Sequence, residues 1–313
     1  MSGLCEKELV IPILSDLHIY GTDDSHFQAQ LKALRELRKE SGFDALISLG
    51  DIPAMLGRER HASDEEIKAL LHETTKMLSE AAEAPVLSIN GNHDGIGTDF
   101  FSPILWNDSV GREYERGLCV HDRENVWFHA DFAKVRLRMI FLSVPHRSKL
   151  SGEYPTPLWS FGEEQLDWLS GVVGSIPEGW RAIVFSHVPL CSEYAGDMES
   201  TLRVWDGEAE RDATIASLCG WIEDRKKAED ILNSSGKIIC AIGGHEHYDD
   251  LFGAGEEKRG YVNRLNFPQV VVSSHRMTEK TSEQLFASCG TRIVCVPAEG
   301  TVSLKLLIVG REA

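Results

Sequence analysis

Six short apolar runs recur along this chain: Leu9–Leu14, Ala45–Leu49, Val86–Ile89, Leu137–Val144, Ala182–Phe185 and Lys237–Ile242. Each is rich in Val, Ile or Leu and lacks apolar–polar alternation, the pattern of a strand buried on both faces. Strands of that kind need covering layers, and the segments between them read as helices. Ser25 can cap a helix that places Phe27, Leu31, Leu34 and Leu37 on one face. Ser63 and Glu66 form a capping box ahead of Ile67, Leu70, Leu71, Met77 and Leu78, and Pro85 ends that helix. Gln165–Leu169 and Ile215–Leu232 read as two more. Trp127–Phe132 with Val135–Val144 reads as a hairpin, as does Thr291–Val296 with Val302–Val309 around a Pro-Ala-Glu-Gly turn. Pro12 removes a ladder donor from the first run, which predicts a bulge or an edge there. Strand–helix alternation with added hairpins predicts an α/β fold with mixed sheets.

Within the 313 residues there is no Pro/Gly/Ser-rich linker, low-complexity tract or internal repeat, so residues 1–313 are expected to form a single domain. The net charge of -17 implies a well-solvated surface. It argues against a protein that grips nucleic acid, which needs clustered Lys and Arg to displace counterions. The apolar run near the N-terminus is too short to span a membrane, and no later run approaches the roughly 18 residues a span requires. The seven cysteines include no C-x-x-C pair. Neither a disulfide framework nor a zinc ribbon is indicated, and reduced thiols in a cytoplasmic protein are expected.

Five polar segments stand just after predicted strands: Ser15-Asp16-Leu17-His18, Gly50-Asp51, Asn90-Gly91-Asn92-His93-Asp94, Ser186-His187 and Gly243-Gly244-His245-Glu246-His247. In open α/β sheets the pocket forms outside the carboxyl ends of the strands, so segments far apart in sequence would converge there. Asp16 and Asp51 offer carboxylates; His18, His187, His245 and His247 offer imidazoles; Asn92 offers an amide oxygen. A mixed N/O set without thiolate suits Mn, Fe, Zn or Co. Asp-x-His or Gly-Asp alone is a common turn. Gly-Asn-His-Asp and Gly-His-x-His are sharper, and all five in order are not a product of chance.

The ordered set D-x-H, G-D, G-N-H-D, H and G-H-x-H resembles the calcineurin-like metallophosphoesterase superfamily over residues 16–247. The resemblance implies a four-layer α/β/β/α sandwich of two mixed β-sheets flanked by helices, with both hairpins inside the sheets. It implies two divalent metal ions, with Mn, Fe or Zn the leading candidates. Asp16, His18, Asp51 and His247 would hold one ion, and Asp51, Asn92, His187 and His245 the other, with Asp51 as the bridge. His93 would stand beside the metals as proton donor. Two ions bring +4 and the two aspartates return -2, leaving about +2 for a phosphate anion. Such pairs sit roughly 3.5–4 Å apart and generate a hydroxide that attacks phosphorus in line.

Ile52-Pro53-Ala54-Met55 follows Gly-Asp, where many members carry a further Asp and purple acid phosphatases place a tyrosine. A close likeness to protein Ser/Thr phosphatases, the nuclease branch or tyrosinate-iron enzymes is therefore not expected. Arg58, Arg60 and His61 follow Asp51, and His146 and Arg147 follow a predicted strand. Of these, Arg58, His146 and Arg147 are the substrate-binding candidates. The long stretch Pro189–Gly207 reads as a lid or binding loop. The expected partner is a small phosphoester, mono- or diester. The alternatives are a nuclease with the same metals and a non-catalytic protein-binding scaffold.

Overall fold

The computed structural model describes residues 9–53, 63–91, 93–94, 118–122, 125–143, 146–147, 159–190, 222, 224–245, 250–258, 261–272, 291–298 and 301–308. The first half runs β1 (Leu9–Leu14), α1 (Ser25–Ser41), β2 (Leu46–Ser48), α2 (Asp64–Ala82) and β3 (Val86–Ser88). Next come β4 (Leu118–His121), β5 (Phe128–Phe132), β6 (Leu137–Leu142), α3 (Glu163–Gly174), β7 (Arg181–Ser186), α4 (Arg225–Asn233) and β8 (Ile238–Gly243). The last strands are β9 (Asp250–Phe252), β10 (Gln269–Val271), β11 (Thr291–Ala298) and β12 (Thr301–Ile308). Each of the six apolar runs coincides with a strand.

They build two sheets. The first has five strands in the order β12-β11-β1-β2-β3; the second has seven, β9-β10-β8-β7-β6-β5-β4. β1, β2 and β3 are parallel, and the hairpin β11–β12 adds antiparallel to β1. β6, β7, β8 and β10 are parallel, while β4, β5 and β9 join antiparallel. Both sheets are mixed, and both expected hairpins lie within them.

The missing alternation has a packing cause, because both faces of each sheet are covered. Leu9, Ile11, Ile13, Ile47 and Leu87 face Phe128, Met139, Phe141, Ile183, Phe185 and Ile242 across the space between the sheets. The other face of the first sheet, through Leu14, Leu46 and Val86, packs on Phe27, Leu31 and Leu34 of α1 and Ile67, Leu71 and Leu78 of α2. The other face of the second sheet, through Ile140, Leu142, Ala182 and Val184, packs on α3 and α4 via Leu166, Leu169, Ala228 and Leu232. The result is the four-layer α/β/β/α sandwich.

Three local expectations change. Asp24, not Ser25, caps α1: its Oδ1 accepts from His26 N at 2.9 Å and Phe27 N at 3.3 Å. β1 is a central strand with an unbroken register to β11, so Pro12 marks neither an edge nor a bulge. Pro12 shares parity with Val10 and Leu14, whose main-chain groups face Asp44 and Leu49 on the β2 side. The β1–β2 register opens only at Ile13↔Ile47, so the absent N–H falls at the start of that pairing. Third, the helix expected over Ile215–Leu232 is interrupted: Ile222 and Asp224 are not helical, α4 runs Arg225–Asn233, and residues 215–221 lie outside the described residues. Asp224, just before it, turns its carboxylate to Ser160 Oγ, Phe161 N and Gly162 N ahead of α3. The Ser63–Glu66 capping box of α2 forms as read.

Phe141 stacks between Phe128 (ring centroids 4.2 Å apart) and Phe185 (4.8 Å) in the core between the sheets. Phe141→Ala should lower the unfolding free energy by about 3–5 kcal/mol. Denaturant titration with an unchanged m-value would check it; a loss under about 1 kcal/mol would mean that the two sheets close the gap.

Candidate metal centre

The site begins where β1 and β2 end, because their parallel pairing does not stop there. Asp16 N donates to Gly50 O at 3.1 Å, His18 N to Asp51 O at 2.9 Å and Ile19 N to Ile52 O at 2.9 Å. Asp16 and His18 are thereby carried alongside Asp51. To follow this path Asp16, His18 and Asp51 adopt left-handed backbone, with φ of 54°, 44° and 53°, and His245 does so at 68°. Such a conformation costs on the order of 1–3 kcal/mol per non-glycine residue and persists only where the surroundings enforce it. Two glycines make the approach of the loops feasible. A Cβ on Gly50 (φ 97°) would collide with Gly91 N, and one on Gly91 would collide with the Asp51 carboxylate.

The second sheet contributes from the ends of β7 and β8. Gly244 N donates to His187 O at 2.8 Å, and His245 N crosses to Asp16 Oδ2 at 3.0 Å. His187 Nδ1 lies 2.8 Å from Leu49 O. A carbonyl only accepts, so Nδ1 carries the hydrogen and Nε2 points toward Asp51 Oδ2 at 3.3 Å.

Asp51 is the hub. Its Oδ2 lies 3.8 Å from His18 Nε2, 3.8 Å from His93 Nε2 and 3.3 Å from His187 Nε2. Two groups of convergent ligand atoms share it: His18, Asp51 and His93, and Asp51, His187 and His245. Asp16 adjoins the first, with Oδ1 3.7 Å from His18 Nε2. Its other oxygen accepts from Ser15 Oγ and from His245 N. The His18 and His93 rings meet edge to face at 4.6 Å, and those of His187 and His245 at 5.2 Å. Asp16, Asp51 and His187 are at most 1% exposed. Charges so deeply buried need close partners of opposite sign. Buried carboxylates amid imidazoles, with no thiolate among the described residues, are a donor set fitted to hard or borderline divalent ions.

Of the expected metal ligands, Asp16, His18, Asp51, His187 and His245 come together; Asn92 and His247 lie outside the described residues. So do Arg58, Arg60, His61 and residues 191–207. His146 and Arg147 form a short ribbon with Trp159–Ser160.

Asp94 is the residue that sequence reasoning undervalued. It does not reach His93; its carboxylate accepts from Asp51 N at 2.8 Å, Ile52 N at 2.8 Å and Gly91 N. His93 N in turn donates to Asp51 Oδ1 at 2.7 Å. An acidic residue next to the ligand segment was the available signal, but backbone amides as its partners leave no mark in a sequence.

Burial would lift the Asp51 carboxyl, but His187 and then His93 hold it below the usual carboxylate range. Burial would depress His187; the Asp51 charge and contact, with Asp16 and Asp94 behind them, carry it up to about 10. Burial, reinforced by the Asp51 charge, lifts Asp94 to about 7. Burial keeps His93 below the ordinary imidazole value against the pull of Asp51.

A family model described as calcineurin-like phosphoesterase matches residues 9–249. The chain belongs to this family. Its class is therefore that of the metal-dependent phosphoester hydrolases, and two divalent ions are what the family implies for the Asp51 centre. A dimetal phosphatase from Danio rerio superposes with a TM-score of 0.57 at 15% identity, covering 95% of each chain. GAP50, described as the anchor in the inner membrane complex of Plasmodium, gives 0.48 at 13% identity, covering 97% of this chain and 90% of that one. A 5'-nucleotidase precursor from Thermus thermophilus gives 0.46 at 11% identity, covering 96% and 54%. The likeness to the dimetal phosphatase describes the fold. No curated protein matches the sequence significantly. Among the described residues no helix is long and apolar enough to cross a membrane.

The paired imidazolium sets a pH dependence. His187 is raised from 6.5 to about 10, so in the metal-free protein its stabilisation is complete below about pH 6.5 and is lost as pH rises through about 10. Metal binding needs the neutral ring and must displace that proton. At pH 7–8, uptake of Mn2+ or Zn2+ should release about one proton from His187, and apparent affinity should climb with pH. Calorimetry in buffers of different ionisation enthalpy reads this directly; identical heats in every buffer would contradict it.

Proposed function

We propose that the protein hydrolyses small phosphate mono- or diesters with two divalent ions bridged by Asp51. The observation that carries this reading is that Asp51 belongs to both groups of convergent ligand atoms. In this reading Asp16, His18, Asp51 and His247 hold one ion, and Asp51, Asn92, His187 and His245 the other. Mn, Fe or Zn suits the N/O donors. When bound, the ions supply positive charge for the phosphoryl group and an activated water at neutral pH. Residues 1–313 act as a single domain, in the cytoplasm, on substrates gathered by Arg58, His146 and Arg147.

The protein's own groups divide the remaining work. Asp94 holds the backbone of Asp51, Ile52 and Gly91, which keeps the bridging carboxylate aimed. The Leu49 carbonyl fixes the His187 tautomer. His93, the catalytic acid, is tied through its main chain to Asp51 and presents its ring beside His18. With its pKa held below the ordinary imidazole value, it carries its extra proton on the acid side of neutrality and there delivers it to the departing oxygen of the ester.

Asp51→Asn should reduce occupancy of both ions and abolish turnover, whereas His18→Ala should chiefly weaken one. Elemental analysis alongside activity checks this, and an Asp51→Asn protein with two ions and normal rates would remove the bridging assignment.

A general acid contributes about 100- to 10,000-fold, and most where the leaving group is a poor one. His93→Asn should therefore keep its metal content, lose activity heavily on alkyl phosphoesters and lose much less on p-nitrophenyl esters. Equal losses on both substrate types would replace proton donation by phosphoryl binding as its role.

A further inference from the structure

A second set of ligand-type side chains lies away from the Asp51 centre, on the β4–β5 hairpin at the edge of the seven-stranded sheet. In its register His121 stands opposite His129, and Cys119 opposite Asp131. Side chains two residues apart on a strand share a face. Phe128, Ala130 and Phe132 enter the core between the sheets. His129 and Asp131 therefore occupy the outer face, and the cross-strand pairing sets His121 and Cys119 beside them.

His121, His129 and Asp131 each bring a ligand atom within 4.8 Å of the others. His121 Nε2 is 3.8 Å from Asp131 Oδ2. The two imidazoles lie parallel, with centroids 4.3 Å apart and planes inclined by 11°. Cys119 is a free, exposed thiol. The surroundings resemble the outer support of a metal site. Arg138 grips Asp131 through Nε–Oδ1 at 2.8 Å and Nη2–Oδ2 at 2.9 Å, which fixes the carboxylate and leaves further lone pairs on its oxygens. Trp168 Nε1 donates to Asp122 Oδ2 at 2.8 Å, and that oxygen stands 3.3 Å from His129 Nδ1. Among the described residues, Asp122 and Asp131 set -2 against the positive charge of Arg138, which favours a cation. Burial, followed by the charge of Arg138, holds His129 down at about 4.

We propose that His121, His129 and Asp131, with Cys119 as the fourth donor, form a separate site for a borderline-soft divalent ion, zinc foremost. Two imidazoles, a carboxylate and a thiolate are a tetrahedral zinc set. One ion there would join both strands of the hairpin and pin the edge strand β4 to the sheet. Asp122 would steer His129, and Trp168 would link the clasp to α3. The site is independent of phosphoester hydrolysis, since none of these residues takes part in the Asp51 centre.

The test uses the full-length protein, stripped with a chelator and titrated with Zn2+ against a chromophoric competitor, then with Co2+ as a spectroscopic probe. Wild type should take up one ion more than His121→Ala, whatever the count at the Asp51 centre, while phosphoester turnover is equal in both. Zn2+ should raise the Tm of wild type further than that of the variant. The Co2+ form should show a thiolate-to-metal charge-transfer band that Cys119→Ser abolishes. His121→Asn serves as a second variant should the alanine protein lose its circular dichroism signal. Equal ion counts and equal Tm shifts in wild type and a folded His121 variant would overturn the site. An extra ion without the charge-transfer band would overturn the part assigned to Cys119.

Discussion

The structure turns on one buried carboxylate. Asp51 stands at the point where the parallel strands of the first sheet end and the second sheet leans over them. It is almost wholly excluded from water. An isolated charge there would be prohibitive, and three imidazoles from separate loops compensate it within 4 Å. Holding such a group in place requires a frame that cannot relax, and two sheets locked face to face by aromatic and aliphatic side chains provide it. The functional loops are short extensions of that frame.

Hydrogen bonding shows how closely they are tied to it. The loops after β1 and β2 keep the parallel ladder for several residues beyond the strands, and Asp94 gathers amides from two of the loops. The second sheet also reaches into the first: His187 touches the Leu49 carbonyl, and His245 N touches Asp16. The left-handed conformations at Asp16, His18, Asp51 and His245 are the cost of this convergence, and they cluster at the proposed centre as strain at functional sites does. Displacing either sheet would therefore disturb ligands on both.

The outer face of the second sheet shows a different economy of charge. Arg138 is the second residue of β6, in an otherwise apolar strand, and is almost fully buried. Its guanidinium is satisfied by Asp131, the Val172 carbonyl and Ser175. That network joins β5 and β6 to the end of α3, and it sets the electrostatic background of the neighbouring histidines.

The apolar runs determined by themselves where the six principal strands lie, because strands buried on both faces must be apolar throughout. The ordered Asp, Asn and His segments behind them likewise determined which residues are candidates for the centre, since side-chain type at strand ends is local information. Other features were decided only by tertiary structure. Pro12 sits in a central strand because its missing donor meets the opening of a pairing whose position the local sequence does not state. Asp24 rather than Ser25 caps α1 because the path of the chain out of the Asp16 loop sets which side chain meets the first amides. Asp94 serves Asp51 rather than its neighbour His93, because its partners are backbone amides brought near by folding. Cys119, His121, His129 and Asp131 share a face only through the register of β4 on β5. Residue identity is written along the chain; register, burial and the direction of a carboxylate exist only once distant segments have packed.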